Sequence, residues 1–472
     1  MGVTAATRVT RDELGKEEDD AVAGAHTAGD TEEGPGGAEG HYEKARQRQR
    51  QRQRQRQRRR LAAVGHGSYK DGWYAKYRDY DEVIARLKTV CESTPRHAET
   101  CRMTRMTNAT ALGEDISAIL VGGNARSSSA RGGTTTTTTT TTGGAAISGP
   151  WMFVMAGQHA REWLPVMATA FLVERLLEAM ATARDSYAIA STDVRRLSEL
   201  LHRVTLVVVP VANPDGFKHT YLRPVDAATG EAVRSGALEC SVGDGLAGRC
   251  DRMWRKSRSA MPPPDVAPTA YRVTPDMDCG GVDLNRNWAA DWGFVRGGEN
   301  ASPDPCSSEF AGLAPFSAPE TRAIRDFIAA AASPPLAALD VHSFAQAVLG
   351  PWSHSNGDPI GAAKIDRVGE SVAAAMTAAN GEPHAYGRGT AKGLMYLASG
   401  TFVDWIFVRY RIPAYTLELR PLPGGAVAAA AAGNGFAVGP EHVTPAGKET
   451  PPHLSLNSCV LSSYHQLKRV YT

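Results

Sequence analysis

Apolar residues recur at helical spacing over residues 80–91 (YDEVIARLKTVC) and predict a helix. Short apolar runs at 116–121 (ISAILV) and 151–155 (WMFVM) predict strands, and 164–180 predicts an amphipathic helix. The run 204–211 (VTLVVVPV) is rich in β-branched residues of the kind buried on both faces of a sheet, and Asn213-Pro214-Asp215-Gly216 then predicts a turn. Further along, the pattern predicts a helix at 319–331, a strand at 336–341, a helix at 362–379 and a strand at 413–419. Strands alternate with helices over about 380 residues without a linker-like break, which predicts an α/β fold: a single large domain, residues 66–472, around a mixed, mostly parallel central sheet flanked by helices.

Composition alters this picture mainly at the edges. Residues 1–65 are poor in apolar side chains, end in a Gln-Arg repeat, and are expected to form a disordered leader. Residues 127–144, with nine consecutive Thr from Thr134, read as an expanded surface loop, and the Ala-rich stretch 424–433 reads as an insertion. The net charge of +2 hides a split: residues 1–45 carry −7, residues 46–60 carry +9 from nine arginines, and the rest is neutral. A neutral body argues against a phosphate-binding surface, so nucleic acid is not the expected partner, and the arginine repeat reads as a solvated tail. No apolar run reaches the 18 residues a membrane span needs, so no membrane partner is expected either.

The seven cysteines include no C-x-x-C pair, which argues against a structural zinc knuckle. Three local pairs (Cys91 with Cys101, Cys240 with Cys250, Cys279 with Cys306) and a leftover Cys459 suit an oxidising compartment, as do N-x-[ST] sequons at Asn108 and Asn300. Residues 1–30 contain no apolar stretch of the secretory type. An extracellular, secretory or vacuolar lumen is therefore one expectation, and a cytoplasmic protein with reduced cysteines is the other.

Chemistry concentrates first at His159-Ala160-Arg161-Glu162-Trp163, directly after a predicted strand. His and Glu three apart on a helical turn point the same way and can share one metal ion. His342 follows the strand predicted at 336–341, and ligands gather at the carboxyl ends of strands in open α/β sheets. Two His and one Glu with an open fourth position form a ligand set of catalytic zinc.

From Tyr69 to Glu449 the sequence resembles the zinc metallocarboxypeptidases of the carboxypeptidase A/B type. The resemblance rests on several short motifs in the family's order: the His-x-x-Glu block, Asn213-Pro214-Asp215-Gly216-Phe217, Met253-Trp254-Arg255-Lys256-Ser257-Arg258, Asp283-Leu284-Asn285-Arg286-Asn287-Trp288, Val341-His342-Ser343-Phe344, Tyr396-Leu397-Ala398-Ser399-Gly400 and Glu418-Leu419-Arg420. It implies one Zn²⁺ per chain on His159, Glu162 and His342, with a bound water whose pKa falls toward about 7. It implies Glu418 as general base, Arg255 as the oxyanion-stabilising arginine, and Asp283 as the carboxylate that orients the imidazole of His159. Asn285 and Arg286 would grip the substrate's terminal carboxylate, Tyr396 would close over it, and Arg161 and Ser343 would bind the substrate further in. It also implies a disulfide between Cys279 and Cys306.

By the same resemblance, Val403, seven positions after the mobile tyrosine, sets the pocket floor, with Met395 and Thr401 beside it. Valine offers no charge to a desolvated cation, so the pocket implies C-terminal aromatic or large aliphatic residues. Phe344 stands where pancreatic-type members carry Tyr, and Pro421 follows Arg420 where the family often has Asp at a cis bond. The segment from Pro451 departs from the family's last helix, and no folded inhibitory pro-domain is expected before the catalytic domain. The expected enzyme is a monomeric metallocarboxypeptidase acting on peptide or protein C-termini. The alternatives are a zinc amidase on a non-protein or peptidoglycan amide, and a carboxypeptidase-like binding module without activity.

Overall fold

The computed structural model describes residues 72–93, 95–122, 147, 149–185, 190–221, 251–261, 279–293, 301–355, 357–359, 361–380, 385–425 and 435–449. The Gln-Arg leader, the poly-Thr loop, Cys240, Cys250, Cys459, Asn300 and most of the Ala-rich stretch lie outside the described residues.

Helix α1 (Tyr80–Glu92) opens on a capping box in which Asp79 accepts from the Glu82 N–H (2.9 Å) and Glu82 accepts from the Asp79 N–H (3.2 Å). Its buried stripe Val83, Leu87 and Val90 follows the helical period and faces the core. A disulfide joins Cys91 at its end to Cys101 at the start of β1 (Cys101–Met106), and a second joins Cys279 to Cys306. Asn108 of the first sequon sits exposed in the turn between β1 and β2 (Ile116–Val121).

The remaining strands are β3 (Trp151–Ala156), β4 (Thr205–Val209), β5 (Ala338–Ser343), β6 (Ala347–Gly350), β7 (Gly387–Thr390) and β8 (Ala414–Leu419). They form one eight-stranded mixed sheet in the order β1-β2-β4-β3-β5-β8-β6-β7. The central strands β4, β3, β5 and β8 run parallel, while β1, β2 and β6 bring in antiparallel pairings at the flanks. From β3 the chain passes first to β4 on one side and later to β5 on the other. The carboxyl ends of β3 and β5 therefore meet at a topological switch point, where such sheets bind ligands.

Both faces of the sheet are covered, which is why its central strands are apolar runs rather than alternating ones. Met152, Val154 and Ala156 of β3 face a layer with α2 (Trp163–Asp185), α3 (Thr192–Arg203) and α6 (Ala362–Asn380), while Trp151, Phe153 and Met155 face α5 (Pro319–Ala329) and α7 (Phe402–Tyr410).

Three elements depart from the sequence pattern. Helix α2 is buried on nearly every face, not amphipathic, because it lies between the sheet and further helices. The expected turn at Asn213–Gly216 opens helix α4 (Pro214–Tyr221), with Asn213 Oδ1 accepting from the Gly216 N–H (3.0 Å). The strand expected at 336–341 runs instead from Ala338 to Ser343, so His342 lies inside β5 and not after it.

Candidate active site

β3 ends at Ala156 and the chain turns sharply before α2, with the Glu162 N–H donating to the His159 carbonyl (3.2 Å). His159 and Glu162 thus converge from this turn and not from the first turn of the helix. β5 brings in His342 beside them. His159 Nδ1 lies 2.7 Å from Glu162 Oε1, His342 Nδ1 lies 2.9 Å from Glu162 Oε2, and the two Nδ1 atoms are 3.1 Å apart. The three side chains are buried, and their ligand atoms all fall within 4.8 Å of one another. Among the described residues this is the one group of three or more His, Cys, Asp or Glu close enough to hold a metal ion.

The far nitrogens are held as well. His159 Nε2 donates to Asp283 Oδ1 (3.1 Å) and His342 Nε2 donates to Asp340 Oδ2 (2.8 Å). With a dication at the centre, each imidazole would keep its N–H on Nε2, held there by a carboxylate, and turn Nδ1 to the metal. Burial alone would raise the Glu162 carboxyl, but the two imidazoles hold it well below the usual carboxylate range. Two imidazoles and a carboxylate, all buried and with ligand atoms this close, fit zinc.

Arg255 reaches the same centre from the strap before the second disulfide. Its Nε and Nη2 donate to Asp283 Oδ2 (2.9 Å each), and its Nη1 points to His159 Nδ1 (3.3 Å). Burial opposes the charges of this pair, yet each partner stabilises the other's ionised form, so Asp283 sits well below and Arg255 above its ordinary range. Glu418 is the direct neighbour of His342 across the β5–β8 register. Burial pushes its carboxyl up to about 7, against the pull of His342 and with the help of the Glu162 charge. The expected general base therefore lines the same end of the sheet as the three ligand candidates.

Asn285 and Arg286 occupy a short 3₁₀ turn capped by Asp283, whose Oδ1 accepts from the Asn285 N–H (3.0 Å). Arg286 lies 5.8 Å from the ring of Tyr396, which is 39% exposed and so placed at the rim. Asn285 Oδ1 accepts from the Phe402 N–H (3.0 Å), tying this turn to the start of α7. Val403 is buried in the first turn of α7, Thr401 caps that helix through Asp404 N (3.4 Å), and Met395 is half-buried beside Ala391 and Leu349. The Ser343 N–H donates to Glu162 Oε2 (3.2 Å), and its buried hydroxyl has no hydrogen-bond partner among the described residues. Arg161 packs over the Phe436 ring at 4.3 Å, and Phe436 meets Phe344 edge-on at 4.9 Å. The Arg420–Pro421 bond is cis, as the sequence suggested.

Sequence reasoning missed four contributors. Asp340 reads as an interruption in an apolar strand. Gln158 and Trp288 carry no motif chemistry of their own, yet Gln158 donates to Asp340 Oδ2 (2.7 Å) and accepts from Trp288 Nε1 (3.0 Å). Phe436 lies beyond the Ala-rich stretch and far in sequence from Arg161 and Phe344, on which it packs.

Comparison with known proteins agrees with this geometry. The family model described as zinc carboxypeptidase matches residues 110–452. A zinc carboxypeptidase of Simulium vittatum is 28% identical over 302 residues, covering 64% of this chain and 77% of that protein. A carboxypeptidase B of Astacus astacus is 28% identical over 382 residues, covering 80% and 94% respectively. The crystal structure of a carboxypeptidase A from Helicoverpa armigera superposes with a TM-score of 0.58 at 22% identity, covering 89% of this chain and 82% of that one, a likeness of fold. With a family match spanning most of the described fold and a buried His-Glu-His centre at its switch point, the chain belongs to the zinc carboxypeptidase family and is a metallocarboxypeptidase.

Proposed function

We propose that the chain is a zinc-dependent exopeptidase that removes C-terminal aromatic or large aliphatic residues from peptides and proteins. The observation that carries this reading is the convergence of His159, Glu162 and His342 with Arg255 and Glu418 at one end of the sheet, bordered by the Asn285–Arg286 turn. Zinc on the three ligand candidates would supply Lewis acidity and lower the pKa of water toward neutrality.

The chain's own residues do the rest. Glu418, with a carboxyl poised near neutrality, takes a proton from the attacking water and passes it to the leaving amine. Arg255, fixed on Asp283 by two hydrogen bonds, places a permanent positive charge where the scissile oxygen becomes negative. Asn285 and the planar guanidinium of Arg286 grip the terminal carboxylate, Tyr396 covers it, and Asp283 keeps His159 in register. Arg161, Ser343, Phe344 and Phe436 form the wall for the preceding residue. Val403 leaves an ammonium or guanidinium in the pocket without a partner, which disfavours basic C-termini.

Residues 66–472 act as the catalytic domain and residues 1–65 as a leader without a catalytic role. The two disulfides support an oxidising compartment such as a secretory or vacuolar lumen, and no helix among the described residues is long and apolar enough to cross a membrane. The test is a chelator-reversible assay on matched peptides ending in Phe, Leu or Arg, each with a free or an amidated C-terminus. Cleavage should require the free carboxylate, with a higher kcat/KM for Phe and Leu than for Arg. Equal cleavage of the amides would sink the exopeptidase reading, and faster release of Arg would sink the pocket assignment alone.

A further inference from the structure

One buried acid near the centre has no part in the mechanism above. Asp340 lies two residues before His342 in β5, and residues two apart on a strand share a face. Its Oδ2 accepts from His342 Nε2 (2.8 Å) and from Gln158 Nε2 (2.7 Å), and the carboxylate is 0% exposed. Gln158 directly precedes His159, and its Oε1 accepts from Trp288 Nε1 (3.0 Å), two residues beyond Arg286. An unbroken buried chain, Trp288 to Gln158 to Asp340 to His342, therefore ties the carboxylate-gripping turn to both histidine-bearing segments.

We propose that Asp340 is the positioning residue of His342, setting its tautomer and its strength as a zinc ligand as Asp283 does for His159. This rests on reading His159, Glu162 and His342 as the zinc ligands. A neutral imidazole carries one N–H, and only the other nitrogen can bind metal. With zinc bound, the carboxylate on Nε2 would keep the proton there and leave the Nδ1 lone pair for the metal, at the point where Nδ1 lies 2.9 Å from Glu162 Oε2 and 3.1 Å from His159 Nδ1. An ionised acceptor also makes the opposite nitrogen more basic than an amide or carbonyl acceptor would. Gln158 in turn stops the Asp340 carboxylate from rotating away, and Trp288 fixes which end of the Gln158 amide faces Asp340.

A purely architectural acid would hold β5 in place without touching metal affinity, so the deciding quantity is the zinc dissociation constant. It is measured on the full chain by competition with a chelator of known zinc affinity, for the wild type and for D340A, D340N, Q158L and H342Q. Loss of such an outer partner typically weakens zinc about 10- to 100-fold, and that is expected for D340A. D340N, which keeps the shape and a hydrogen bond but removes the charge, should weaken zinc at least about fivefold, with Q158L following in the same direction. D340N decides the matter even if D340A does not accumulate as folded protein. D340N holding zinc within about fivefold of wild type, while H342Q loses it, would overturn the role of Asp340 alone. Zinc retained by H342Q at wild-type affinity would instead overturn the ligand set, and this inference with it.

Discussion

Glu162 and Glu418 are two buried carboxyls on either side of His342, and their surroundings drive them in opposite directions. Burial raises both, but Glu162 faces both imidazoles and stays ionised, whereas Glu418 is left at about 7. Two acids with separated proton affinities can divide the work, one as ligand and one as proton carrier. Glu418→Gln keeps the shape and removes the exchangeable proton. It should lower kcat by about 10²- to 10⁴-fold with little change in KM. Zinc content, read by elemental analysis of the same preparation, should stay at the wild-type level. A kcat within tenfold of wild type would remove Glu418 from the proton-transfer role, whereas lost zinc would make it a structural part of the centre.

At the scale of elements, strand ends and one loop contact set the geometry. The apolar runs that became β3, β4, β5 and β8 were legible because double-sided burial leaves an uninterrupted β-branched signature. The segments Cys101–Met106, Ala347–Gly350 and Gly387–Thr390 were not, since short or polar strands near a sheet edge owe their form to pairing rather than to their own pattern. His159, Glu162 and His342 were within reach of spacing arguments. Gln158 and Phe436 were not, because their partners come from distant segments, and Asp340 was not, because a single acid in an apolar strand does not show which face or partner it meets. Gly400 shows how tightly those segments meet. Its φ is +64°, its N–H donates to Ala290 O (3.1 Å), and its carbonyl accepts from Trp288 N–H (3.0 Å). A Cβ at Gly400 would press on the carbonyl of Arg286, too close for any side chain. Gly400→Ala should therefore displace the Asn285–Arg286 turn and raise KM for peptides with a free C-terminus by about tenfold or more. Zinc should still bind, because that turn supplies none of the three ligand candidates. Unchanged KM would mean that the turn does not read the terminal carboxylate.

On the scale of the whole molecule, charge says little about substrate, since the net +2 resolves into a split leader on a neutral body. Charge does bear on stability, at a point away from the ligand set. Glu320, at the start of α5, is 0% exposed and accepts from the Ala111 N–H (3.3 Å), while Asp215 accepts from the adjacent Leu112 N–H (2.8 Å). Glu320 Oε2 and Asp215 Oδ1 have no hydrogen-bond partner among the described residues. Burial, with the Asp215 charge adding to it, pushes the Glu320 carboxyl up from 4.5 to about 7. A folded-state value above the unfolded one means that the native protein holds this proton longer. The resulting stability is complete below pH 4.5 and is lost as pH rises through about 7. The rise from 4.5 to about 7 corresponds to at most about 3.5 kcal/mol, at about 1.4 kcal/mol per pKa unit. Glu320→Gln keeps the acceptor for Ala111 and cannot ionise, so it should lose that pH dependence. Urea unfolding at fixed free zinc should find E320Q gaining on wild type between pH 5 and pH 8.5 by about 1–3 kcal/mol. A constant difference across that range would show that Glu320 titrates alike in the folded and unfolded chain and is ionised in the folded protein at neutral pH.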